Sequence, residues 1–130
     1  MAPMLIFILL IMSGLQLKHF AADYLLQSRR MIAGKGSLRA PGGYEHAAVH
    51  VAGTAVVLIW TQLPLALLAA VLFGEFVIHY GLDYGKARLS ERVSIIKNPK
   101  LFWALHGLDQ LLHQVTYLII ALIAARARGL

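Results

Sequence analysis

Eight residues of this chain fall into four pairs spaced i,i+4: His19/Asp23, His46/His50, His79/Asp83 and Asp109/His113. On an α-helix that spacing stacks two side chains on one face a turn apart, so each pair can offer two donors to a common centre. Imidazole together with carboxylate is a donor set for zinc, manganese or iron. A further histidine, His106, precedes Asp109 by three residues and His113 by seven and so shares their face. Eight or nine donors exceed the needs of one tetrahedral ion. The pattern therefore predicts either two ions, or one ion with the surplus groups acting as hydrogen-bond partners, acid and base. Glu75, four residues before His79, is a candidate general base or a group that orients His79, and His106 is a candidate base or proton shuttle. Gln27, Gln110 and Gln114 can supply further hydrogen bonds.

These residues must be carried by very apolar elements. The 130 residues are enough for one domain, and 59% of them are hydrophobic against 14% charged. With a mean hydropathy of +0.70, the chain is too apolar for a water-soluble domain and reads as a membrane protein. It contains no cysteine, which excludes disulfide frameworks, thiol catalysis and cysteine-ligated metal clusters. A spanning helix needs about 20 mostly apolar residues. Four segments qualify, at about 3–26, 45–63, 65–84 and 101–125, and each carries one of the four pairs. Only Thr61 to Pro64 separates the second from the third, and Pro64 suits the first turn of a helix, which predicts a tight antiparallel hairpin. The apolar run from Leu5 to Met12 is preceded by no Lys or Arg and followed by no Ala-x-Ala site, so it reads as a retained helix rather than a leader.

Lys and Arg total 12 against six Asp and Glu, and their placement sets the expected topology. The first loop carries Arg29, Arg30, Lys35 and Arg39; the third carries Lys86, Arg88, Arg92, Lys97 and Lys100. Positive-inside reasoning places both loops in the cytoplasm and both termini outside, against the weaker opposing signal of Arg126 and Arg128. The basic balance thus reads as loops held against anionic headgroups, with no nucleic-acid partner. Lys18 is expected to snorkel, and Lys35 and Lys86 to be solvated surface charges that could attract a phosphate. Trp60, Trp103, Tyr44, Tyr84 and Tyr117 suit interfacial or packing roles, and Gly34, Gly36, Pro41, Gly42 and Gly43 predict an irregular, mobile first loop. The motifs do not repeat identically. Even so, the two hairpins can be pseudo-symmetric, each pairing an outgoing His-x-x-x-Asp with a returning His pair or Asp-x-x-x-His.

In this topology all four pairs lie one to three turns below the cytoplasmic surface. Ionisable groups at such depth cost about 2.5–3.5 kcal/mol each by insertion scales, so they face the interior and pair or bind something. The expected architecture is therefore an all-α, four-helix transmembrane bundle with one polar layer, whose competing explanation is a metal-free hydrogen-bond network. The leading functional expectation is a metal-dependent hydrolase acting on a lipid-linked or headgroup-level ester or phosphoester. The alternatives are a divalent-metal or proton transporter, a b-type haem protein with His axial ligands, or an accessory subunit with a purely structural polar layer.

The stretches His19 to Gln27 (HFAADYLLQ) with Lys35, the His46/His50 helix, His79 to Lys86 (HYGLDYGK) and Asp109 to His113 (DQLLH) resemble the small bacterial and phage membrane proteins grouped as domain of unknown function 3307. That resemblance covers nearly the whole chain and implies a four-helix membrane protein of unestablished function; the expected location is the bacterial inner membrane, crossed several times, with membrane lipids around the chain and a homo-oligomer or larger membrane complex left open. In character the chain is also similar to inducible membrane-bound metal-dependent hydrolases, an analogy of residue type rather than of sequence.

Overall fold

The computed structural model describes residues 1–130 and is helical throughout, with no strands. Helix α1 runs from Ala2 to Phe20 and continues as a wider π turn over Ala21–Leu25, where the Leu26 N–H donates to the Ala21 carbonyl at 2.9 Å. The short helix α2 covers Arg29–Gly34, and Ser28 caps it by accepting from the Met31 N–H at 3.2 Å. Helix α3 spans Pro41–Leu58 and tightens into a 3₁₀ turn at Ile59–Thr61. The remaining helices, α4 at Leu65–Ser90 and α5 at Pro99–Ala127, are the longest. Asn98 caps α5 by accepting from the Leu101 N–H at 3.2 Å, and Pro99 occupies the first turn, where its missing N–H costs nothing.

The four long helices pack in a ring in the order α1, α3, α4, α5, with α5 closing back on α1. Their apolar core fills one end, where Phe7, Ile11 and Leu15 of α1 meet Leu58, Val71, Ile120, Ala121 and Ala124. The other end holds the C-terminal part of α1, the start of α3, the last half of α4 and the start of α5, which are the segments that carry the four polar pairs. Between α3 and α4 the chain reverses through Gln62 at φ 54°, and Pro64 sits just before α4 as its cap rather than in its first turn.

Three helical stretches are long and apolar enough to cross a membrane: Ala2–Leu25, Leu65–Ser90 and Pro99–Ala127. Helix α3 is not among them. It carries Glu45, His46, His50 and three glycines, and it buries seven of its 18 residues against its neighbours. His46, His50 and Thr54 are enclosed by the other helices while Glu45 stays partly exposed beside Arg30, and these polar residues with the glycines lower its mean hydropathy.

The first loop folds instead of running irregularly. Helix α2 packs on the start of α3, and a Cβ added at Gly42 would stand 2.2 Å from the Arg30 carbonyl oxygen. The glycines expected to loosen this segment thus let two backbones touch. Tyr44 stacks on Tyr80 with ring centroids 4.4 Å apart, which ties the same region to α4.

Candidate metal centre

Each helix brings its pair to the interior at one level. His19, His46, His50, His79, Asp83, Asp109 and His113 are all buried, and Asp23 is half-buried. The rings form a contiguous group: the centroids of His50 and His79 lie 3.8 Å apart, those of His79 and His113 4.4 Å, and those of His46 and His50 4.6 Å. His19 closes the group at 5.4 Å from His50 and 5.5 Å from His113. The π turn carries Asp23 toward the other helices, where Oδ1 lies 3.1 Å from Nε2 of both His46 and His50 while Oδ2 is 3.2 Å from His19 Nε2.

Three sets of residues bring one ligand atom each to within 4.8 Å of one another: His19/Asp23/His50, His46/His50/His79 and His79/Asp83/His113. The first and third are built alike, each from a His-x-x-x-Asp of one helix and a histidine of a neighbouring helix. Sequence carried a trace of this likeness, for both aspartates are followed by tyrosine, in His19-Phe20-Ala21-Ala22-Asp23-Tyr24 and His79-Tyr80-Gly81-Leu82-Asp83-Tyr84. Asp109 belongs to none of the three sets, although its Oδ1 lies 3.5 Å from His113 Nε2.

Hydrogen bonding divides the group unevenly. Gln110 donates from Nε2 to Asp109 Oδ2 at 3.1 Å, which turns its Oε1 toward His19 Nε2 at 3.0 Å and makes that nitrogen a donor. His19 Nδ1 then accepts from the Tyr117 hydroxyl at 2.9 Å. His50 is likewise engaged on both sides: its Nδ1 faces Lys18 Nζ at 3.3 Å and its Nε2 donates to Asp23 Oδ1 at 3.1 Å. By contrast, both ring nitrogens of His46 and His79 and Asp109 Oδ1 are buried without a hydrogen-bond partner, as are Gln27 Oε1 and Glu75 Oε2, while Asp83 Oδ2 is met by the Lys35 ammonium at 2.9 Å. His46 Nε2 is 3.1 Å from Asp23 and 3.3 Å from Asp83 but is aligned with neither. Leaving a buried donor or acceptor unsatisfied costs about 1–3 kcal/mol, so such atoms on one side of a cluster mark where a ligand would be held. Imidazole nitrogens beside carboxylate oxygens suit a divalent transition metal.

Several residues sit differently from their sequence reading. Lys18 does not snorkel: it is buried, and its ammonium donates to Glu75 Oε1 at 2.6 Å. The same Glu75 oxygen accepts from Thr54 Oγ1 at 2.9 Å, and the lysine ammonium lies 4.4 Å from the centre of the Tyr117 ring. Glu75 therefore holds Lys18 rather than orienting His79, because two buried charges cancel each other's desolvation only in contact. Gly53 makes the room, since a Cβ there would stand 3.2 Å from Lys18 Cβ. The two lysines expected in loops are also engaged, Lys35 Nζ at 2.9 Å from Asp83 Oδ2 and Lys86, which lies within α4, with Nζ at 3.2 Å from Asp109 Oδ2. Tyr117, assigned to packing or the interface, is a hydrogen-bond partner of the cluster. His106 stays outside it, half-buried against Trp103, and lines a polar cavity of about 130 Å³ whose wall includes Asp23, Asp83 and Asp109. Gln16, unremarked in the sequence, is the hydrogen-bond partner of Gln114, and Gln27 donates to the Asp23 carbonyl at 3.0 Å.

A model of the family described as protein of unknown function (DUF3307) matches residues 6–128. No curated protein and no solved structure matches the chain.

Proposed function

We propose a function from the premise that the chain belongs to the DUF3307 family of unknown function: it is a membrane-embedded, metal-dependent hydrolase whose ion is held chiefly by His46, His79, Asp83 and His113. The observation that carries this reading is the set of buried, partnerless atoms on His46, His79 and Asp109, next to the Asp83 carboxylate and beside a His19/His50 half whose hydrogen bonds are already committed. His79 and His50 are each common to two of the three candidate ligand sets, and of the two only His79 has both ring nitrogens without partners. A zinc, manganese or iron ion there would supply Lewis acidity toward an ester or phosphoryl oxygen and would acidify water. The chain's own residues do the rest. Asp23 and Asp109 orient imidazoles, Tyr117 and Gln110 fix the tautomer of His19, and His106 at the mouth of the polar cavity is placed to exchange protons with solvent. Glu75, whose Oε1 is shared between Lys18 and Thr54, fits a structural part better than that of a base.

The same reading has α3 crossing the membrane with the other three helices, the loops around Arg30 and Arg92 in the cytoplasm, and the cluster close to that surface. Transport of metal or protons is the rival, supported by the way Lys18, Glu75 and Thr54 extend the polar column beyond the histidines. The packed Ile11, Leu15, Leu58 and Ile120 beyond that column weigh against a through-path. Elemental analysis of gently purified protein tests the proposal. Near-stoichiometric metal that is lost in His79→Ala and retained in Arg88→Ala is expected, whereas metal-free wild type that melts identically with and without chelator or added ions would sink it.

A further inference from the structure

Helices α4 and α5 meet along a seam that is apolar for most of its length and polar at one end. Near the cluster the seam opens into a depression of about 190 Å³ lined by Gly81, Gly85, Leu105 and Leu108, with Lys86 and Asp109 at its edge. Farther along, a second depression of about 230 Å³ is lined by Leu67, Gly74, Ile78, Ile119 and Ile123. Both follow one stripe on each helix, so together they trace a furrow from Leu67 to Leu89, about 33 Å at about 1.5 Å per residue, comparable with the hydrocarbon depth of a bilayer.

Glycine makes this furrow, and helix packing does not require it. A Cβ added at Gly74, Gly81 or Gly85 would meet nothing within 4 Å. Glycine inside a helix costs about 0.5–1 kcal/mol relative to alanine. Three such residues on the seam face of α4, each with space for a side chain, keep room open for something other than protein.

Lys86 and Asp109 also line the polar cavity of about 130 Å³ beside the cluster, where Lys35 stands as the second cation. Furrow and cavity therefore adjoin at the Lys86–Asp109 ion pair. At this mouth three carboxylates, Asp23, Asp83 and Asp109, face two ammoniums, which leaves one negative charge. One divalent ion turns the balance to one positive charge, a setting for an anionic group. Lipid wets any exposed seam, but a chain leading from an apolar furrow into a cationic, ion-bearing pocket matches an amphiphile with an anionic head.

We propose that the α4/α5 seam seats the hydrocarbon chain of a long-chain lipid phosphate, with its phosphate drawn into the cavity between Lys35 and Lys86. This names the substrate class of the hydrolase reading and rests on that reading for turnover and for the charge that favours an anionic head, though not for seating the hydrocarbon chain. The test uses the full chain in bilayer discs with a single-chain alkyl phosphate carrying a photoreactive group at mid-chain. Crosslinks are expected in residues 74–82 and 112–119, about 10 Å along the furrow from Lys86. Unlabelled alkyl phosphate should compete at least about tenfold better than the alkanol of equal length, about 1.4 kcal/mol of head selectivity, and inorganic phosphate should compete poorly.

Gly81→Leu with Gly85→Leu should abolish labelling with no loss of melting temperature or metal content, as should Leu108→Trp, which fills the same depression from α5. Gly107→Leu, outside the furrow, should label normally. Lys35→Gln with Lys86→Gln should erase the preference for phosphate over alkanol. Equal competition by the alkanol, labelling indifferent to the furrow-filling variants, or displacement by inorganic phosphate as effective as by the alkyl phosphate would each overturn the proposal. Selective binding by protein that purifies without metal would keep the lipid site and remove the hydrolase reading, and metal without selective binding would do the reverse.

Discussion

Lys18 and Glu75 show how far a single residue can depart from its expected place. Their side chains are only 6% and 1% exposed, so removing one leaves the other as an uncompensated buried charge. Lys18→Met alone is expected to destabilise the protein by about 3–5 kcal/mol, whereas Lys18→Met combined with Glu75→Leu should recover most of that loss, because two apolar side chains strand no charge. Melting of the two single variants and the double variant in detergent, read as a double-mutant cycle, checks this. The histidines differ from one another in a comparable way. If the partnerless side of the cluster holds the ion, His79→Ala should lower metal retention more than His19→Gln, since His19 is already bound to Tyr117 and Gln110. Equal loss from both variants, measured by elemental analysis after dialysis, would instead spread the ion over both halves.

At the scale of elements, two short features set how the long helices meet. Gly42 lets α2 lie directly on α3, and the methyl of Gly42→Ala would strike the Arg30 carbonyl. Because that neighbour is backbone, it cannot swing aside as a flexible side chain could. A loss of about 1–3 kcal/mol is expected, with earlier proteolysis near Arg29 as the visible sign. Gln62 turns the chain from α3 into α4 in the left-handed region, a conformation that costs a side-chain-bearing residue about 1–2 kcal/mol. Gln62→Gly should therefore raise the melting temperature slightly, less than the full relief, because glycine also adds freedom to the unfolded chain. A lower melting temperature would show that the Gln62 side chain contributes contacts worth more than the strain.

At the scale of the whole molecule, the proposed orientation and the proposed ion each make a measurable difference. With nine cations in the first and third loops, cysteines at Leu38 and Ser94 should resist an impermeant thiol reagent added to intact cells, while a cysteine at Leu130 should react. Reaction at Leu38 or Ser94 from outside would invert the orientation. A chelator should lower the melting temperature of the purified protein, and zinc, manganese or iron should restore it in proportion to the logarithm of free ion, as binding to the folded state alone requires.

Much of the architecture was legible in one dimension, because hydrophobic length and i,i+4 spacing are local properties. The His/Asp pairs and the tight reversal before Leu65 follow from side-chain type and helix geometry, whereas α5 begins at Pro99, ahead of the expected Leu101. Helix ends were less legible: α4 runs on to Ser90, six residues beyond the expected Tyr84, since a polar surface turn continues a helix without any apolar signal. What the sequence could not decide is which neighbours share a desolvated space. Only the ring of helices brings Lys18 of α1 to Glu75 of α4 across 57 residues, and Tyr117 of α5 to His19 across 98. Only that packing leaves the nitrogens of His46 and His79 without partners while satisfying those of His19 and His50. Composition sets how many polar groups must be buried; their pairing depends on distances and angles between helices, and these exist only after the chain has packed.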